Sequence, residues 1–222
     1  MATHVTWEEI QKRIWSCEKC KGHPRVEINV RQQTSSPTKP CAILLVGIAP
    51  PHQDCSTDRI VAKSATSDPG DNLRKFIEDA VGLQWNDLIA KGAFLIHAVK
   101  CAILPDAEGF QNPPNAVVDQ CSSVGFIDEL YVLCPSRIVA FGGTARRAVL
   151  KHPAIATPHG VSMSKSFKEL NGLWPNGISC KFSSRELTLH PAPFPRSHGA
   201  KKKAATILRD AARLAGVVNA AG

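Results

Sequence analysis

The chain has 222 residues, of which 43% are hydrophobic and 21% charged, and its 27 Lys and Arg residues against 19 Asp and Glu residues give a formal net charge of +8. This composition excludes a disordered or collagen-like chain and allows one globular domain with a sizeable core. The longest apolar run, residues 41–51, is too short to span a membrane, and the amino terminus does not have the pattern of a secretory signal. We therefore expect a cytoplasmic protein with no membrane partner.

The eight cysteines and the positive charge bear on the cofactors and binding partners that the chain can have. In a reducing compartment, cysteines serve as metal ligands or buried thiols more often than as disulfides. An excess of Lys and Arg suggests a polyanionic partner, although many basic chains have none.

The first 40 residues, which we call the N-terminal arm, begin with a predicted helix. Its apolar residues recur at helical spacing between residues 6 and 20: Trp7, Ile10, Ile14 and Trp15. The helix runs into the CxxC sequence Cys17-Glu-Lys-Cys20, and a polar segment, 31–40, follows. We expect the arm to present two cysteines to the rest of the chain.

Strands and helices alternate after the arm. Apolar segments predict strands at 42–46, 93–99, 137–141 and 186–189, with 178–182 as an edge strand; helices are predicted at 70–81, from 113 onwards, at 144–150 and at 201–214. This alternation predicts an α/β fold, namely a three-layer αβα sandwich with a central, mainly parallel four-stranded sheet. We expect a single domain made of the arm (1–40), this core (41–215) and a short tail (216–222).

In such sheets, ligands bind beyond the carboxyl ends of the strands. The residues that follow the predicted strands are therefore candidates for a site: 47–54, 97–101, 142–143 and 190–196.

Four cysteines form a candidate ligand set, which we call the cysteine set: Cys17, Cys20, Cys101 and Cys121. They lie at a helix end, at a strand end and on the following helix, so the fold can bring them together. Their spacing leaves tetrahedral zinc, an iron–sulfur cluster and simple burial all open. Three more lie in apolar segments and suit buried thiols (Cys41, Cys134 and Cys180), whereas Cys55 lies in a polar loop and has no evident role.

Six motifs in chain order carry a family resemblance: Cys17-Glu-Lys-Cys20, Gly47-Ile-Ala-Pro-Pro51, His97-Ala-Val-Lys-Cys101, Cys121, Ile138-Val-Ala-Phe-Gly142 and His190-Pro-Ala-Pro-Phe-Pro-Arg196. Together they resemble the iron–sulfur branch of the uracil-DNA glycosylase superfamily. The resemblance implies a monofunctional DNA repair glycosylase. Such an enzyme flips a uracil or another deaminated base out of the helix, hydrolyses its N-glycosidic bond and leaves an abasic site.

The resemblance also implies a cofactor and a partner. The cysteine set would hold a 4Fe-4S cluster, with zinc as the alternative. The expected partner is DNA with a damaged base, and the protein is expected to act as a monomer.

Several site residues follow from the resemblance. His190 would donate to the departing base; the alternative is a histidine that makes a structural hydrogen bond. The loop that follows, with Pro193, Phe194 and Arg196, would enter the minor groove. Phe194 is the candidate wedge, although it could instead be packed under the loop. The basic run Lys201, Lys202 and Lys203 suits phosphate contacts, and its alternative is a solvated charge run.

The group that positions water is harder to assign. Many relatives have an acid or amide where this chain has Ile48, which can do no acid–base chemistry. Asp54 is the first candidate and Asp68 the second; either could instead be an ordinary loop or helix-capping acid.

The expected base pocket contains Gly47, Ile48, Ala49 and His97. His97 stands where relatives have the asparagine that reads uracil, and the aromatic residue that stacks on the base falls at Ser64 or Ala65. We therefore expect a broader or different set of deaminated bases, such as hypoxanthine or xanthine, or weak activity on uracil. The alternatives are that His97 is a core histidine, that the protein is a weak or inactive nucleic-acid-binding relative, or that it is a zinc-stabilised α/β protein of unrelated function.

Overall fold

A computed structural model describes residues 5–32, 34, 36–37, 39–50, 69–104, 106–107, 112–162, 164–173 and 176–218; of residues 30 and 69–72 it describes the backbone alone. The arm contributes a helix and a strand: α1 (Trp7–Ser16) and β1 (Val26–Arg31). The first half of the core contains β2 (Ile43–Gly47), α2 (Pro69–Val81), α3 (Trp85–Ala90), β3 (Ala93–His97), β4 (Cys101–Ile103), α4 (Asn115–Cys121), a π-helical turn (Ser122–Phe126) and α5 (Ile127–Leu133). The second half contains β5 (Arg137–Phe141), α6 (Gly142–Leu150), β6 (Ile155–Ala156), α7 (Phe167–Leu173), β7 (Ile178–Phe182), β8 (Arg185–Ala192) and α8 (His198–Leu214).

The central sheet has the strand order β3-β2-β5-β8-β7-β6. The first four strands are parallel, whereas β7 runs antiparallel to β8 and β6 antiparallel to β7. The predicted mainly parallel sheet is therefore confirmed, but within the described part of the chain it has six strands rather than four. Strand β7 is not at the edge, because β6 pairs outside it; a strand of two residues leaves no periodic signal in a sequence.

Helices cover both faces of this sheet, which gives the three predicted layers. Leu44, Val46, Ile138 and Ala140 face one core, packed with α1 and α4 to α7. Their neighbours Ile43, Leu45, Val139 and Phe141 face a second core, packed with α2, α3 and α8, and we call this side the α8 face. Since consecutive strand residues point to opposite faces, covering both faces requires continuous apolar strands.

The arm is joined to the core by a second, two-stranded sheet that the sequence did not predict. Strand β1 pairs antiparallel with β4, with Val26 opposite Ile103 and Arg31 opposite Cys101. Helix α1 begins with a capping box between Thr6 and Glu9 and ends at Ser16, so the CxxC segment follows the helix rather than completing it. Apolar and polar residues alternate from Val26 to Arg31, a strand pattern that the predicted elements above leave out, whereas the three residues of β4 are too few to show a pattern.

Strand β8 is longer than predicted, because it continues through the motif histidine. Val139 pairs with His190, and Phe141 with Ala192. The three residues His190, Pro191 and Ala192 are thus held within the sheet and are buried. Among the helices of the described residues, none is both long and apolar enough to cross a membrane.

Candidate active site and cysteine set

Residues that follow three parallel strands converge at the carboxyl edge of the sheet. Gly142 begins α6 directly after β5 with φ +87°, a conformation that favours glycine. A Cβ on Gly142 would lie 3.3 Å from Phe194 Cβ and 3.5 Å from Ile48 Cδ1. The segments after β2, β5 and β8 therefore meet here, as the predicted sheet requires.

His97 ends β3 beside the same edge, opposite Gly47 at the end of β2. Its side chain is buried, and a Cβ on Gly47 would lie 2.8 Å from His97 Cδ2. Burial lowers the pKa of His97 to about 3, with the Lys100 charge as a second cause, so the ring is neutral at physiological pH. Its Nδ1 is buried and has no hydrogen-bond partner among the described residues.

His97 belongs to a set of four buried polar residues, which we call the buried network: Gln32, His97, Lys100 and Glu129. Lys100 pairs with Glu129 and donates to the His97 carbonyl at 2.6 Å. Gln32 donates to Glu129 Oε1 at 2.9 Å and accepts from the His97 main-chain N–H at 2.7 Å. Burial raises the pKa of Glu129, and the Lys100 ammonium opposes this effect. The network links the arm, the turn after β3 and α5.

His190 is buried and lies on the α8 face of the sheet, as does the His97 position. Strands β2 and β5 lie between the strands that carry the two histidines. The Nε2 of His190 lies 3.2 Å from Arg137 Nη1, and because a guanidinium can only donate, Nε2 accepts this bond. The opposite side of the ring abuts Gly177, where a Cβ would lie 2.9 Å from Nδ1. Burial first, and the Arg137 charge second, lower the pKa of His190 to about 4. The ring is thus neutral and held on both sides.

The loop after β8 is packed against the site. Phe194 is half-buried against the apolar core of the α8 face, and the Arg196 guanidinium lies 5.3 Å from its ring centroid. Arg196 also donates to Asn112 Oδ1 at 3.4 Å, and Pro193 is half-buried. In this arrangement Phe194 fills space beside Gly142 and does not project from the surface.

Helix α8 begins directly after this loop. Ser197 caps it by accepting from the Ala200 N–H. Lys201, Lys202 and Lys203 lie in its first turns, and all three side chains are exposed. The basic run is therefore accessible next to the loop with Phe194.

The four members of the cysteine set lie near one another. Burial is the first cause of the raised pKa of Cys20, of Cys101 (to about 11) and of Cys121 (to about 12). Neighbouring thiols contribute in each case: Cys17 acts on Cys20, Cys17 and Cys20 act on Cys101, and Cys20 and Cys101 act on Cys121. Within the described part of the chain, no group of three or more His, Cys, Asp or Glu is arranged to hold a single metal ion.

Hydrogen-bond donors contact two of these sulfur atoms. The Lys100 main-chain N–H donates to Cys121 Sγ at 3.1 Å, and the Arg31 side chain bonds to Cys101 and lowers its pKa. Arg31 is buried and donates to the Cys17 carbonyl at 2.8 Å, and none of the described carboxylates pairs with it. A buried cation and N–H donors aimed at sulfur suit thiolate ligands that carry negative charge.

Some predicted residues lie outside the described part of the chain. These are both candidate acids, Asp54 and Asp68, together with Cys55, Ser64 and Ala65. Of the other cysteines, Cys41 and Cys180 are buried as expected, whereas Cys134 is exposed at the end of α5. Its φ of 48° places it in the left-handed region where helices often end, which turns the chain outward.

The sequence did not predict the roles of Gln32, Lys100, Glu129 and Arg137. One signal was present: Glu129 stands three residues after Phe126 and four before Leu133, both buried, so it lies on the apolar face of α5. An acid at such a position needs a buried partner, and Lys100 provides it. No comparable pattern marks Gln32 or Arg137.

Comparison with models of protein families identifies the family of the chain. The sequence model of the uracil DNA glycosylase superfamily matches residues 36–211, which is most of the chain. No curated protein matches the sequence.

Proposed function

Since the chain belongs to the uracil DNA glycosylase superfamily, we propose that it is a monofunctional glycosylase that removes a deaminated base from DNA and leaves an abasic site. Members of this superfamily are generally glycosylases that act on DNA. The observation that carries the proposal is the convergence of Ile48, Gly142 and Phe194 at the carboxyl edge of the sheet, with His97 against Gly47 beside them. These are the same segments whose motifs resemble the family.

The chemistry defines what this edge has to supply. A base inside the duplex has to be flipped out before its glycosidic bond can be reached. Bond cleavage develops negative charge on the base and positive charge on the sugar, so the enzyme needs donors for the base and an acceptor near the sugar. We assign the first role to His190 and the second to Asp54, with Asp68 as the alternative. To donate to a base, His190 has to give up its contact with Arg137 and carry its proton on Nε2, the nitrogen that accepts from Arg137 in this structure.

The character of His97 supports a substrate range that differs from ordinary uracil reading. A neutral imidazole has one donor and one acceptor in fixed, divergent directions, whereas the amide of asparagine presents both on one edge. The unpartnered Nδ1 of His97 leaves a buried polar atom for which a base edge is a suitable partner. We propose hypoxanthine or xanthine as substrates alongside, or in place of, uracil.

We also propose that the cysteine set holds a 4Fe-4S cluster, with zinc as the alternative. Four soft thiolates suit either group by their chemistry, but no three of the described side chains surround a single point as zinc would require. The buried guanidinium of Arg31 and the Lys100 N–H to Cys121 Sγ fit an anionic thiolate centre. In this protein the cluster would be structural and would fasten the N-terminal arm to β4 and α4.

A second candidate function is a weakly active or inactive protein that binds nucleic acid. Ile48 cannot act as an acid or base, and the engagement of His190 Nε2 by Arg137 favours this candidate. The test is base release from oligonucleotides that carry uracil, hypoxanthine or xanthine. Release that is lost in His190→Ala and Asp54→Ala, with DNA binding retained, supports the glycosylase; DNA binding without release by the unaltered protein supports the second candidate.

A further inference from the structure

The side chain of Gln32, in the N-terminal arm, connects the arm to the candidate base pocket. Gln32 is fully buried and its main-chain N–H donates to the Lys100 carbonyl at 2.6 Å. Its Oε1 accepts from the His97 N–H at 2.7 Å and from Lys100 Nζ at 3.4 Å, while its Nε2 donates to Glu129 Oε1. Because both ends of the amide are engaged by groups of opposite character, its orientation is fixed.

Lys100 and Glu129 complete the set of buried polar contacts around the main chain of His97. The Lys100 ammonium contacts the Glu129 carboxylate, donates to the His97 carbonyl at 2.6 Å and lies 5.7 Å from the Phe126 ring centroid. Both main-chain polar groups of His97 are thus bonded to side chains of the network. A buried ion pair of this kind stabilises a fold little better than an apolar pair would, so stability alone does not account for it.

The turn that the network holds has a functional residue at each end. His97 begins it, beside Gly47, and Cys101 of the cysteine set ends it. Between them, the Lys100 main-chain N–H donates to Cys121 Sγ. A shift of the turn would therefore move the base pocket and the sulfur atoms together.

We propose that Gln32, Lys100 and Glu129 are positioning residues that fix the His97–Cys101 turn, so that the N-terminal arm holds His97 in place as the residue that reads the base. This inference rests on the proposed function for its catalytic consequence. The alternative is a structural role alone, in which the network fills space inside the protein.

Gln32→Met tests the proposal, with Gln11→Met as the matched control. Methionine keeps the length of the side chain and removes both amide contacts. Gln11 lies in the same arm and accepts from the Thr34 N–H, with no contact to the turn. Three quantities are measured: amide hydrogen exchange of residues 97–101, kcat/KM for the base that the unaltered protein releases, and Kd for undamaged DNA.

The expected result for Gln32→Met is faster exchange in this turn and a fall in kcat/KM of about tenfold or more, with unchanged Kd for DNA. Gln11→Met should change neither the exchange nor kcat/KM. Unchanged exchange of residues 97–101 in a folded Gln32→Met protein, or an equal effect of Gln11→Met, would overturn the proposal. If the unaltered protein releases no base, the proposed function fails, while the exchange measurement still decides whether the network positions the turn.

A double variant keeps the test decisive if Gln32→Met does not fold. Lys100→Met with Glu129→Leu replaces the ion pair by apolar side chains, which restores buried contacts without the bond to the His97 carbonyl. We expect a folded protein in which the amide hydrogens of residues 97–101 exchange faster, and kcat/KM is lower, than in the unaltered protein. If the exchange rates and kcat/KM of the double variant equal those of the unaltered protein, the network only fills space.

Discussion

Gly47 and His97 lie opposite each other at the ends of two parallel strands, and the His97 ring fills the space that a side chain on Gly47 would need. Since His97 is buried and its main chain is bonded to Gln32 and Lys100, the ring has little freedom to move aside. A side chain at position 47 would therefore require the His97 ring to move.

Gly47→Ala is expected to destabilise the protein by about 1–3 kcal/mol, the usual cost of forcing an extra methyl group into a packed site. A Cβ here would approach His97 Cδ2 to 2.8 Å. Gly172→Ala is the control, because a Cβ at this exposed position in α7 meets nothing within 4 Å. The measurement is the free energy of unfolding from denaturant titration. Equal stability of the two variants would contradict the packing described for His97.

The stability of the protein should fall as the pH drops below about 6.5, the ordinary pKa of histidine. Native His97 and His190 have pKa values lowered to about 3 and about 4, so the unfolded chain binds protons that the native protein does not. Each histidine then lowers the free energy of unfolding by at most about 1.4 kcal/mol for each pH unit until its native pKa is reached. His152, whose pKa is also lowered by burial, adds to this effect.

Denaturant titrations from neutral to mildly acidic pH measure this slope, and His97→Asn provides the comparison. The variant should lose stability less steeply as the pH falls, since asparagine does not titrate. An identical slope in the two proteins would show that His97 is not buried in its neutral form.

Reversing the charge of Lys201, Lys202 and Lys203 should weaken DNA binding and flatten its dependence on salt. Each phosphate contact contributes about 0.9 to the slope of log K against log salt for duplex DNA, so three contacts contribute about 2.7. The control is the same charge change at exposed lysines on three other elements, Lys12, Lys168 and Lys181. If the two triple variants show the same salt slope, the basic run of α8 does not contact the DNA phosphates.

Cys121→Ala should remove bound iron, sulfide and visible absorbance from anaerobically purified protein, because it takes away one of four proposed ligands. Cys180→Ala is the matched control, since Cys180 is equally a buried thiol but lies in β7, among apolar side chains. Metal analysis also separates the cluster from zinc. Iron retained in Cys121→Ala, or lost equally in Cys180→Ala, would contradict the assigned ligand set.

The fold was largely predictable from the sequence, because strands buried on both faces must be continuously apolar, as 42–46 and 137–141 are. The arm's pairing through β1 and β4 was not, because the alternation of Val26–Arg31 indicates a strand but does not say which strand it pairs with, and β4 has only three residues. In the site, the motifs at 47–51 and 97–101 were enough to predict that Gly47 and His97 belong to the same pocket. The surroundings of His190 could not be predicted, because Arg137 and Gly177 come from other strands and loops and meet the ring only through sheet register.

Base excision at this edge of the sheet is tested by the amount of free base that the unaltered protein releases from DNA. Oligonucleotides carrying uracil, hypoxanthine or xanthine are compared, in single-stranded and duplex form, with abasic sites counted in parallel. We expect release of at least one of these bases with an equal number of abasic sites, and release of hypoxanthine or xanthine at least as fast as that of uracil. A protein that binds these DNAs and releases none of the three bases would contradict this expectation.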